Sequence, residues 1–380
     1  MIPDISNLSI SSTSESPTPT TDSLLHPNAT SRDRRPASSA SHRQDDEENK
    51  KLKDALEGAI VSENPNVHWD DVAGLEVAKE ELQEAVVLPM KFPQLFTGRR
   101  QSRKGILLYG PPGTGKSYLA KAVATEVDAT LFSVSSSDLV SKWMGESERQ
   151  DPSNFHQLKT LFDMARERKP SVIFIDELEG IASSRDSGGD NEHTNRIKTE
   201  ILIQMDGVGK DATGILVLAA TNLPWKLDAA LRRRFQKRIH IALPNMAARK
   251  EMFETGALHA QCNLEEKDLE QLASMTEGYS GSDISIVVQD TLMIPVKKIR
   301  TAKYWRKIVK DGTEKLEPCD QTDTGALPMT WKQVPSDKLF EPSVLPKDFF
   351  TALSKVKPSV SQDDFQKTKE WTEEFGEEGA

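Results

Sequence analysis

The residues of this chain best suited to chemistry fall in two clusters, Gly110-Pro111-Pro112-Gly113-Thr114-Gly115-Lys116-Ser117 and Asp176-Glu177. In the first, Gly110, Gly113 and Gly115 allow the positive φ that turns successive backbone N–H groups inward around a polyphosphate. Pro111, Pro112 and Thr114 complete the loop. Lys116 offers a point charge to the β and γ phosphates, Ser117 offers a hydroxyl to Mg²⁺, and the helix that starts there adds its positive dipole end. This is the Walker A pattern, and the apolar run Gly105–Tyr109 before it and the helical pattern Tyr118–Val127 after it supply the context the motif needs.

The second cluster ends an apolar run, Ser171-Val172-Ile173-Phe174-Ile175. In a parallel sheet, ligands lie at the carboxyl ends of strands, where Asp176 can orient Mg²⁺ and its waters. Glu177 is placed to polarise an attacking water as general base. Asn222 follows another apolar run, Ile215–Ala220, and can hold that water or sense the γ-phosphate, or simply form a turn. Arg233 and Arg234 lie in Leu231-Arg232-Arg233-Arg234-Phe235. Adjacent surface arginines are usually solvated, but one that reaches a neighbouring subunit's site raises phosphoryl transfer by about 10³- to 10⁵-fold. Gly74 ends the stretch Asn66–Gly74, which either lines an adenine pocket or forms a simple turn capped by Asp.

The elements that must position these groups follow from periodicity. Strands are expected at Gly105–Tyr109, Ala129–Val134, Ser171–Ile175, Ile215–Ala220 and near Arg238–Leu243, alternating with helices, which gives an α/β fold with right-handed crossovers. Val77–Val87 reads as an amphipathic helix, Ala247–Arg300 as helices only, with Gly278–Asp283 starting one of them, Tyr304–Trp331 as short strands, and Ser361–Phe375 as an acidic amphipathic helix. Residues 1–44, rich in Ser, Thr and Pro, cannot bury enough surface to order. Residues 45–64 read as a linker helix ended by Pro65, residues 65–245 as the large α/β domain, and residues 246–380 as a small helical domain carrying a β insertion at about 304–342.

Composition narrows the function classes. A net charge of −10 argues against a general affinity for nucleic-acid backbone. Cys262 and Cys319 stand without metal-ligand spacing, as expected of reduced thiols. No apolar run approaches the ~18 residues of a membrane span, so a soluble cytoplasmic protein is expected.

With these residues in place the chain resembles the AAA ATPases of the meiotic clade, and among them the branch that acts in vacuolar protein sorting. The stretches carrying the likeness are Phe132–Glu148, Arg196–Glu200, Thr221–Trp225 and, most discriminating, Glu317-Pro318-Cys319, Met329-Thr330-Trp331, Glu341–Leu345 and Trp371–Glu378. The resemblance implies a parallel-sheet P-loop AAA domain followed by a small helical lid with a β insertion and a C-terminal helix. It implies ATP and Mg²⁺ as ligands and a homo-hexamer that disassembles ESCRT-III filaments. Lys142, Trp143 and Met144 would be a pore loop gripping substrate, Arg233 and Arg234 fingers on the neighbour's ATP, and Gly281 and Ser282 lid contacts to the nucleotide. A hexamer-promoting cofactor would bind the β insertion, and partners alone would recruit the protein to the endosome membrane. The alternatives are a microtubule-severing relative and a nucleotide-binding assembly partner without turnover.

Four features depart from that family. No three-helix module is matched before Asp45, Glu179 stands where Asp is usual, and Asn195 stands where a second Arg is usual. The stretch Gln150–His156 is additional; Asp151-Pro152 is expected to restart the next helix late, keeping Leu158, Leu161, Phe162 and Ala165 on one apolar face.

Overall fold

Alternating burial on two sheet faces organises the large domain of the structure, a computed structural model that describes residues 61–63, 65–98, 100, 102–139, 154–182, 191–206, 214–260, 262–310 and 312–376. The expected tail (residues 1–44), the linker helix up to residue 60, the pore residues Lys142, Trp143 and Met144, and Gln150–Ser153 of the additional stretch lie outside the described residues.

Five parallel strands form the sheet: β2 (Gly105–Tyr109), β3 (Thr130–Ser135), β4 (Ser171–Asp176), β5 (Ile215–Thr221) and β6 (Lys237–His240). Their spatial order is β3-β4-β5-β2-β6, so the chain leaves β2 for the far edge and works back past it. Such runs read as continuously apolar because helices cover both faces. Leu107, Ile173, Ile175, Val217 and Ala219 point into one core. Ile106, Leu108, Val172, Phe174, Leu216 and Leu218 point into the other, as the period of two requires.

Residues 61–63 correct one expectation. They do not end a helix but form β1 (Val61–Glu63), which adds antiparallel to β3 with Val61 opposite Ser133 and Glu63 opposite Leu131. Among the described residues the parallel sheet has no further parallel strand beyond β3, and the N–H and C=O groups on that open side draw the linker's end into a ladder.

The helices fall where the periodicity places them. α1 (Glu76–Leu82) continues through a π turn, Gln83–Val87, into one more turn, Leu88–Lys91. α2 (Lys116–Glu126) starts at the phosphate loop. α3 (Asn154–Glu167) buries Leu158, Leu161, Phe162 and Ala165 in one core, the single apolar face expected of it. α4 (Glu179–Ala182) follows β4, α5 (Asn191–Asp206) precedes β5, and α6 (Ala229–Arg234) precedes β6.

The second part is helical: α7 (Met246–His259), α8 (Glu266–Met275), α9 (Gly281–Leu292), α10 (Ile294–Thr301) and α11 (Pro346–Leu353). Phe253, Leu272, Ile284, Val287 and Phe349 fill its own core. Between α10 and α11 lies a small antiparallel sheet of β7 (Tyr304–Lys310), β8 (Thr313–Cys319) and β9 (Leu327–Pro328).

The last helix, α12 (Gln362–Phe375), returns to the large domain. Trp371 packs edge-on against Tyr109 at 4.5 Å between ring centroids, and Tyr109 Oη donates to Thr372 Oγ1 at 3.1 Å. Tyr109 is the last residue of β2, so the chain's end braces the strand that launches the phosphate loop. Trp371→Ala is expected to destabilise the chain by about 3–5 kcal/mol in urea denaturation, whereas a change under about 0.5 kcal/mol would show that α12 contributes little to the core.

Candidate active site

The phosphate loop begins with a steric demand. A Cβ at Gly110 would lie 2.2 Å from the Ile241 carbonyl oxygen, so only glycine lets the loop leave β2 beside the chain that follows β6. Gly113 has φ +74°, and a Cβ there would meet Ser280 Oγ at 2.8 Å and Ser282 at 3.0 Å. Gly115, at φ +96°, precedes the first residue of α2. Within the loop, Thr114 Oγ1 donates to the Pro111 carbonyl at 3.0 Å, and Pro112 stays exposed.

Lys116 is buried, and its Nζ donates to the carbonyls of Gly110 at 2.9 Å and Pro111 at 2.7 Å. Burial pulls its ammonium down to about 8, against the opposite pull of Asp176 and Glu179. A buried amine with two carbonyls as its main partners, in a loop with positive φ at Gly110, Gly113 and Gly115 and a helix start behind it, suits a phosphate.

Asp176 ends β4 across from Ser117. Ser117 Oγ donates to Asp176 Oδ2 at 2.7 Å, and the other oxygen, Oδ1, accepts from Glu177 N at 2.8 Å. A hydroxyl joined to a carboxylate is an oxygen donor set that fits Mg²⁺. Glu177 is exposed and holds φ +52°, a left-handed conformation that costs a non-glycine residue about 1–3 kcal/mol. Two contacts hold it there: Ser136 Oγ donates to its carbonyl at 2.6 Å, and Leu178 N donates to Ala220 O at 2.9 Å. Asn222 is half-buried at the end of β5, next to β4.

The lid meets the loop directly. Ser280 caps α9 in a reciprocal pair with Asp283, and Ser282 N donates to Gly113 O at 3.1 Å. A Cβ at Gly281 would lie 3.3 Å from the same carbonyl. Gly74, at φ +63°, abuts Ala248 of α7, where a Cβ would come within 2.6 Å of the alanine methyl.

The structure thus brings together the loop, Ser117, Asp176, Glu177, Gly281 and Ser282, and sets Asn222 on the adjoining strand. It does not join Arg233 and Arg234 to them. Both end α6, where Arg233 is exposed and Arg234 pairs with Asp206 of α5 at 2.5 Å. Sequence reasoning also missed the partners of Glu179: Thr221 Oγ1 donates to its Oε2 at 2.7 Å, and Asn222 N approaches its Oε1 at 3.4 Å. A carboxylate just beyond Asp-Glu at a strand end was the available signal.

A glycine loop between strand and helix, a facing Asp-Glu pair and a helical lid define a P-loop ATPase domain of the AAA type. Residues 106–243 match the ATPase family associated with various cellular activities (AAA), residues 266–310 the AAA+ lid domain, and residues 316–376 the Vps4 C terminal oligomerisation domain. The chain is 55% identical over 344 residues to vacuolar protein sorting-associated protein 4B of Mus musculus, covering 88% of this chain and 76% of that protein. Identity to katanin p60 ATPase-containing subunit A1 of Strongylocentrotus purpuratus is 43%, covering 86% of this chain and 58% of that one. Among solved structures, the FIGL-1 AAA domain superposes with a TM-score of 0.68 at 36% identity, covering 86% of this chain and 96% of that chain.

The chain belongs to the vacuolar protein sorting-associated protein 4 family of AAA ATPases. It is an ATPase that carries the family's C-terminal oligomerisation domain. Among the described residues, no helix is long and apolar enough to cross a membrane.

A phosphate stabilises the charged form of Lys116, so the protonated site binds nucleotide more tightly than the neutral one. With the amine at about 8, ADP affinity is expected to be level well below that pH and to fall above it. The decline approaches about tenfold per pH unit, and binding takes up a proton. Titration calorimetry in two buffers of different ionisation enthalpy reads both effects; level affinity through about two units above that value rules the titration out.

Proposed function

We propose that the chain hydrolyses ATP at this site to pull subunits of ESCRT-III filaments through the pore of a homo-hexamer, in endosomal sorting and vacuolar protein transport. The observation that carries the reading is the Ser117–Asp176 bond of 2.7 Å with Glu177 as the next residue. In this reading Ser117 and Asp176 are the metal-binding pair, and the residue after Asp176 is the general base.

The roles follow from chemistry. The amides of Gly110–Gly115 and the Lys116 ammonium hold the β and γ phosphates, and Ser117 with Asp176 holds Mg²⁺. When bound, Mg²⁺ neutralises charge developing on the phosphate oxygens. Glu177 takes the proton of the attacking water, and Asn222 orients that water. Gly281 and Ser282 close the lid over the nucleotide, and Gly74 lines the base side. Arg233 and Arg234 act on the adjoining subunit's γ-phosphoryl, supplying roughly 4–7 kcal/mol of barrier lowering. Lys142, Trp143 and Met144 grip the substrate, and an aromatic beside a flexible thioether suits varied side chains.

A partner that promotes assembly would bind the small sheet of β7–β9, and recruitment to the endosome would come through partners alone. We place the large domain at residues 65–245 and the lid with its insertion and final helix at residues 246–380. Two observations favour filament disassembly over microtubule severing: the match of residues 316–376 to the oligomerisation domain, and the lower identity to katanin.

Glu177→Gln should retain ATP after desalting and lock the oligomer, because phosphate binding does not need the general base. Recovery of mostly ADP from that variant would count against Glu177 as the base. The unaltered chain should release phosphate, with specific activity rising with protein concentration, and should dissolve ESCRT-III filaments but not microtubules.

A further inference from the structure

Glu179 sits in the site without a role in the chemistry above. It opens α4 two residues after Glu177, is half-buried, and adds a third carboxylate beside Asp176 and Glu177, the wrong sign of charge for holding phosphates. We infer that Glu179 is a positioning residue for hydrolysis, whose two carboxylate oxygens fix the backbone that carries Asn222. This rests on the reading of Asn222 as the residue that orients the attacking water.

The geometry explains why a carboxylate is needed. Glu179 Oε2 accepts the Thr221 hydroxyl at 2.7 Å, and Oε1 faces Asn222 N at 3.4 Å. Thr221 is 1% exposed, and its Oγ1 accepts in turn from Leu223 N at 3.1 Å. One side chain therefore organises three consecutive residues, with Asn222 at the centre. Both groups facing Glu179 donate to it in this arrangement. An amide keeps only one accepting oxygen, so it would either lose one of the two bonds or make the Thr221 hydroxyl turn to accept from its NH₂, and either change breaks the present arrangement.

The same clamp ties the two catalytic strand ends together. Leu178 N donates to Ala220 O at 2.9 Å, so the backbone on either side of Glu177 and Asn222 is joined directly, and Glu179 closes the ring one residue further along each chain. A shift in this ring moves the water-orienting group relative to the base. The phosphate loop touches the ring at one longer bond, Gly110 N to Thr221 O at 3.4 Å, so the strand end that carries Asn222 takes most of the shift.

The experiment compares kcat, KM for ATP, ADP affinity and melting temperature in Glu179→Gln, Glu179→Asp and Thr221→Val, alone and with Glu179→Gln and Thr221→Val combined. Measurements are made at a protein concentration where specific activity has levelled off. In Glu179→Gln and Thr221→Val, kcat is expected to fall about tenfold or more while KM and ADP affinity stay within about threefold, the pattern of an interaction that matters only in the transition state. The combined variant should be no slower than the worse single one, because both break one linkage. Glu179→Asp keeps two acceptors on a shorter arm and should fall between.

Three results overturn the inference: kcat within about twofold of the unaltered chain in both single variants, kcat losses that multiply in the combined variant, or a loss of ADP affinity as large as the loss in kcat. The last would mean that Glu179 acts through the charge of Lys116. Glu177→Gln is run alongside as the control for the parent reading. If Glu177→Gln turns over ATP normally, the proposed hydrolysis site fails; if it is inactive while Glu179→Gln and Thr221→Val are normal, only the positioning role fails.

Discussion

A loop that cradles a polyphosphate must present several backbone amides to one point, and a single bond such as Thr114 Oγ1 to the Pro111 carbonyl does not fix that conformation by itself. The rest of this structure depends on how that constraint is met. The loop is confined from below, where Gly110 presses on the Ile241 carbonyl, and from above, where Ser280 and Ser282 crowd Gly113. It is confined from within by Lys116, whose ammonium bridges the Gly110 and Pro111 carbonyls. Removing water from that ammonium is unfavourable, as its pull toward about 8 records. Bonds from a charged donor to two carbonyls offset part of that loss.

The upper confinement belongs to the lid, so the loop's shape and the lid's position are one variable. Ser282 N donates to Gly113 O, and Gly74 meets the Ala248 methyl on the other side of the large domain's entry segment. Both contacts put a glycine with positive φ against a lid helix. A larger residue at either place would have to push the lid away, and the phosphate site would lose its upper wall.

Much of this was legible from local pattern. The five apolar runs, the Walker loop and the Asp-Glu strand end identify themselves because each signal lies within a few consecutive residues, and the apolar face of α3 is read from its own spacing of three and four. The unread parts depend on partners far apart in sequence. The helix-like composition before Pro65 hid β1, because only the open edge of β3 makes Val61–Glu63 a strand. Trp371 read as one residue of an acidic helix, and its partner Tyr109 lies far earlier in the chain, at the end of β2. Glu179 read as a minor replacement until Thr221 and Asn222 stood opposite its two oxygens.

The pairing of α6 with α5 leaves the proposed role of its arginines across subunits open to them. α5 grips α6 at both ends: Lys198 pairs with the capping residue Asp228 at 2.6 Å, and Asp206 pairs with Arg234 at 2.5 Å. Asp228 also accepts Leu231 N at 2.9 Å, so the first pair fixes where the helix starts. The second pair is partly exposed on both sides, and such pairs contribute about 0–1 kcal/mol. Stabilising a transferring phosphoryl group is worth roughly 4–7 kcal/mol. Under the proposed role of Arg234, a pair this weak leaves its guanidinium free to exchange Asp206 for a phosphate oxygen of the adjoining subunit's nucleotide.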